Sequence, residues 1–121
     1  MRSSESVLRK LAIGHGPLME QAVCPEAGFA LALEHGLDER TIALARIAAL
    51  VALDAGSASY LRECNAALAS GVTGDEIAGV LVAVASLTGS VRVIAAAPRT
   101  ALGLGYDVEA ALEDPDRSDG D

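Results

Sequence analysis

Gly56, Ser59 and Glu63 are spaced by three and four residues, so a helix through them carries all three on one face. That face offers a bare backbone, a hydroxyl and a carboxylate. Glu63 has two readings. In an apolar pocket its pKa is raised and it serves as a general acid or base. Beside Arg46, Arg62 or Arg92 it is an ion-paired or solvated carboxylate instead. Tyr60, Asp54 and Ser59 are placed to line the same pocket, where a tyrosine hydroxyl can orient a polar ligand; Tyr60 also suits the edge of a core.

Cys64 follows Glu63 directly and points about 100° away from it on an α-helix. As a reactive thiol it lacks a second cysteine one turn away, because the other cysteine, Cys24, lies forty positions upstream beside Pro25. The pair has neither metal-ligand nor redox spacing, and only tertiary proximity can join them. As a small buried apolar residue Cys64 needs no partner. His15 and His35 each neighbour a glycine and have no ligating residue one turn on, which places them in loops or at helix ends and implies no metal or cofactor.

The elements that position these residues are helical. Ser4 to Ile13 forms a first short helix with Val7, Leu8 and Leu11 on one side, stopped by Gly14-His15-Gly16-Pro17. A second helical region starts at Leu18, breaks at Cys24-Pro25 and resumes to Gly36. Asp38 caps the next helix, Glu39 to about Asp54, which buries Ile42, Ile47, Leu50 and Leu53 and has Arg46 as its one interior charge. The site helix starts at Gly56 or Ser57 and ends at Ser70-Gly71, where glycine suits the left-handed position after a helix.

Thr73 and Glu76 have capping-box spacing and start the helix Asp75 to about Thr88. This helix is apolar on almost every side, so it must be enclosed by protein. One layer of helices from so short a chain cannot enclose it, and a homo-oligomer is expected. Gly89-Ser90 interrupts; Val91 to Leu102 is the last core helix, with Pro98 near its middle or marking a new start. Tyr106 to Leu112 reads as a short docked turn, and the charge-rich remainder as disordered.

Two stretches, LDERTIALARIAALVALDAG from Leu37 and SASYLRECNAALASGVTGDEIAGVLVAVASLTG from Ser57, together resemble the carboxymuconolactone decarboxylase and AhpD-like alkylhydroperoxidase family. The shared pattern is an apolar helix, a site helix, a Gly-(Val/Ala)-Thr turn followed by Glu-Ile, and an apolar helix ending in glycine. Counting back from Gly71-Val72-Thr73, the family histidine falls on Glu63 and the two cysteines of the peroxidase branch on Ser59 and Gly56. The glutamate of that branch falls near Leu44. The resemblance implies peroxiredoxin-type peroxide reduction or, in the other branch, lactone decarboxylation. It also implies trimers or hexamers with sites near subunit contacts.

In the peroxidase branch a thiolate near a helix start is favoured by the dipole, an imidazole one turn on moves its proton, and a second thiol resolves the sulfenic acid. Neither Gly56 nor Ser59 can do this. That leaves three functions open: a peroxide-linked enzyme, an acid–base enzyme using Glu63 in place of histidine, and a non-catalytic oligomeric scaffold or small-ligand-binding protein.

Composition agrees with the helical reading. Hydrophobic residues make up 51% of the 121 and aromatics 2%, so the core is built from Ala, Leu, Val and Ile, of which Ala and Leu rank among the best helix formers. An all-α domain of about six or seven helices over residues 1–106 follows, with 107–121 as an acidic tail. The net charge of −8 is concentrated in that tail, where seven acids face Arg117. No basic stripe with interleaved aromatics exists for nucleic acid. The longest uncharged run, Ile77 to Val91, is shorter than the roughly 20 residues a membrane span needs. The N-terminal stretch MRSSESVLRK has no secretory pattern, so a cytoplasmic location is expected.

Overall fold

The computed structural model describes residues 2–106, and the side chains from Ser4 onward. The expected tail, 107–121, and most of the expected Tyr106–Leu112 turn lie outside the described residues. Seven helices and no strand occur among them: α1 (Arg2–Ala12), α2 (Gly16–Val23), α3 (Pro25–Glu34), α4 (Glu39–Leu53), α5 (Ser57–Ala69), α6 (Gly74–Thr88) and α7 (Ser90–Gly103). The protein is all-α. Two compact units divide between Ile42 and Ala43.

In the first unit α2 and α3 are joined at Cys24 and Pro25, the break expected from sequence. His15 caps α2, its Nδ1 accepting from the Leu18 amide at 3.4 Å. Gly28 is needed where α3 meets α2, because a Cβ there would strike the Ala22 carbonyl. No residue of α2 or α3 is buried, and on α1 Leu8 and Leu11 are exposed, contrary to the expected core side. Three short helices have too little surface between them to form a dry interior.

The second unit holds the core. Ala43, Ile47 and Val51 of α4 meet Tyr60, Cys64 and Ala67 of α5, Ile77 and Leu81 of α6, and Ala96 of α7, with Val72 from the turn before α6. Leu53 was expected in this core but is 73% exposed. Its place is taken by Val51, since a buried stripe of period four runs 43–47–51 and Leu53 falls off it at the helix end. Leu50 is only half-buried.

Helix ends follow the local chemistry. The Asp38 carboxylate accepts from the Thr41 amide at 2.7 Å, and this bond holds its pKa below the usual value. Thr73 accepts from the Glu76 amide at 3.0 Å while Glu76 accepts from the Thr73 amide at 2.9 Å, completing the capping box. α5 closes with Gly71 at φ 88°, the Val72 amide reaching back to the Ala67 carbonyl. α4 closes the same way, but with Asp54 at φ 53°, the one non-glycine residue of positive φ among those described. Pro98 starts no new element; α7 runs through it without a break.

Candidate functional site

α5 approaches α7 closely where Gly103 of α7 faces Tyr60 and Cys64 of α5. A Cβ on Gly103 would stand 3.0 Å from the Tyr60 carbonyl oxygen and 3.1 Å from the Cys64 Sγ. This approach buries Tyr60, Cys64 and Ala67 along one stripe of α5. The neighbouring stripe carries Gly56, Ser59 and Glu63. Gly56 is the N-cap of α5, in extended conformation and with no side chain to offer the free amides. Ser59 is half-buried in the first turn.

Glu63 is buried, and both its oxygens are taken. Arg46 of α4 donates Nε–H to Oε1 at 2.7 Å and Nη2–H to Oε2 at 2.9 Å. Arg62 adds a longer ion pair, Nε to Oε2 at 3.6 Å. The hydrogen bonds from Arg46 outweigh the burial of the carboxyl and hold its pKa below the ordinary value. The raised pKa that general acid chemistry requires is therefore absent, because burial comes with a bidentate cation. Of the three arginines considered from sequence, Arg46 and Arg62 are the partners, and Arg92 stands instead in the first turn of α7.

Cys64 is a free thiol with no exposed surface, and burial pushes its pKa up, with the Glu63 charge acting in the same direction. Both effects disfavour the thiolate. Cys24 is also a free thiol, exposed, with its Sγ 3.6 Å from Glu26 Oε2.

Tyr60 is fully buried and its hydroxyl has no hydrogen-bond partner among the described residues. Burial raises its pKa. Asp54 follows the last residue of α4 and has a different partner from Glu63: its carboxylate accepts from Arg99 Nη1 at 2.8 Å. Arg99 also donates to the Ala55 carbonyl at 2.9 Å, tying the α4–α5 turn to α7. Asp54 further lines an open cleft of about 550 Å³ with Thr88, Ser90, Val91 and Arg92. Arg99 has no signal in the sequence, since its partner is 45 residues away. His15 and His35 stand at helix ends, as N-cap of α2 and C-cap of α3.

The geometry and the fold meet in one comparison: the carboxymuconolactone decarboxylase family model matches residues 17–101. The chain belongs to that family. No curated protein and no solved structure matches it. No helix among the described residues is long and apolar enough to cross a membrane.

Proposed function

We propose that this family member is a non-catalytic, oligomeric scaffold rather than a peroxidase or a lactone decarboxylase. The carrying observation is the side-on Arg46–Glu63 pair. A carboxylate with both oxygens engaged by a guanidinium is held as the anion and is a weaker base than the raised-pKa carboxyl that acid–base catalysis uses. The remaining thiol of the site helix, Cys64, is buried and disfavoured as thiolate, which removes support for peroxide attack. Gly56 and Ser59 supply no redox group.

The scaffold role draws on what this chain leaves uncovered. Val82 and Leu87 of α6 and Val91 and Ile94 of α7 are exposed large apolar residues, and burial against further copies is the reading that accounts for them. Residues 1–106 act as one domain in this reading, since the family match runs across both units. The working location is the cytoplasm. The test is direct. The purified protein is assayed for peroxide consumption with a dithiol reductant and for carbon dioxide release from the γ-lactone, beside light scattering. Neither turnover, with a multimer in solution, is the expected result; turnover lost on Glu63→Gln or Cys64→Ser overturns the proposal.

A further inference from the structure

Two guanidinium groups converge on the single buried carboxylate of Glu63. Arg46 spends Nε and Nη2 on it, and Arg62 meets Oε2 through Nε. Each arginine keeps donors that this carboxylate does not use: Nη1 of Arg46 and both terminal nitrogens of Arg62. The carboxylate is sealed, with its side chain 9% exposed, whereas the side chains of Arg46 and Arg62 are 57% and 70% exposed. Local charge is thus +2 against −1, carried by two arginine side chains that are both largely open to solvent. The other acids of the described part of this unit have other positions in the fold. Asp54 pairs with Arg99, and Asp75 and Glu76 stand in the first turn of α6, where Glu76 completes the capping box.

We infer that the Arg46–Arg62 pair is a binding site for a small oxyanion group, held between the two outward-facing guanidinium forks above Glu63. Guanidinium forks bind carboxylate and phosphate oxygens through paired N–H donors, so one planar or tetrahedral oxyanion can accept from both arginines. Glu63 does not compete, because it lies beneath them with its oxygens already satisfied. Its role is to hold Arg46 with the free edge outward and to offset part of the repulsion between the two cations. The inference rests on reading Glu63 as a held, non-reacting carboxylate.

The experiment is a titration of the full-length, ¹⁵N-labelled protein with inorganic phosphate, and separately with acetate, reading the arginine Nε–H signals. Sodium chloride at matched ionic strength is the reference. Saturable shifts of the Arg46 and Arg62 signals with phosphate or acetate are expected, the tighter of the two showing whether a phosphate or a carboxylate is the natural group. Arg62→Gln, an exposed substitution that leaves the Arg46–Glu63 pair in place, should weaken binding by roughly tenfold, the loss of one charge-assisted contact. Arg92→Gln should leave binding unchanged. Linear drift indistinguishable from chloride, which means an adventitious ion only, overturns the inference, as does undiminished binding by Arg62→Gln. Binding is read without substrate, so its failure is separate from a positive result in the turnover assays.

Discussion

Arg46 holds Glu63 side-on across 17 positions of sequence, with two hydrogen bonds of 2.7 and 2.9 Å to the two carboxylate oxygens. Glu63 is thereby fixed as an anion in a buried position. Replacing it by Gln leaves Arg46 without its counter-charge and should destabilise the fold by about 1–3 kcal/mol at pH 7. The pH dependence has a definite sign. Because the folded pKa is depressed, the stabilisation is fully present above the ordinary value of 4.5 and disappears as pH falls through the lower folded value. Urea titrations of wild type and Glu63→Gln should therefore differ at pH 7 and draw together in acid; equal stability at pH 7 contradicts this account.

Cys64 and Cys24 should react very differently with a thiol reagent. Cys24 is exposed and Cys64 is wholly buried under Gly103 with its thiolate disfavoured. A disulfide-exchange reagent should label one thiol per chain rapidly in the native state and the second only on unfolding. Rapid labelling of both, or loss of both on one equivalent of peroxide, contradicts the burial of Cys64.

Gly103 permits the closest contact between α5 and α7. Gly103→Ala places a methyl carbon 3.0 Å from the Tyr60 carbonyl oxygen, which is fixed in the backbone of α5, and 3.1 Å from the side-chain Sγ of Cys64. The expected cost is about 1–3 kcal/mol, the usual range for overpacking. Cys64→Ala in the same chain should recover part of it by removing the sulfur, a coupling that a double-mutant cycle in denaturant measures.

Much of this arrangement was legible because its signals are local. The Thr73–Glu76 capping box, the Gly71 stop, the Asp38 cap and the break at Cys24-Pro25 each lie within a few residues, and all four form as expected. The phase of α4 was legible in part. Ile42 and Ile47 are buried as expected and Leu50 packs against the core half-buried, but periodicity alone did not show that the stripe continues through Ala43 and Val51 rather than Leu53. The site shows the same divide. Arg46 stood out as the lone interior charge of α4, but whether it, Arg62 or Arg92 would reach Glu63 depended on how the helices pack. The Asp54–Arg99 tie, 45 residues apart, left no trace in the sequence. That Gly56, Ser59 and Glu63 share one face of α5 could be read directly; that burial would accompany a lowered rather than a raised Glu63 pKa could not.

Val82, Leu87, Val91 and Ile94 are 77%, 88%, 79% and 70% exposed, an apolar load that a separate chain in water would carry at a cost. Covering one such side chain is worth about 1.5–3 kcal/mol, so burying several of them can hold copies together at micromolar concentration. Val82→Asp or Ile94→Asp adds a charge that must be desolvated on association, and since neither side chain is buried within the chain, the helices themselves should survive. Light scattering should show the wild type as a multimer and each variant as a smaller species of unchanged helical circular dichroism. A monomeric wild type, or variants that keep the wild-type mass, means that these side chains are covered in some other way.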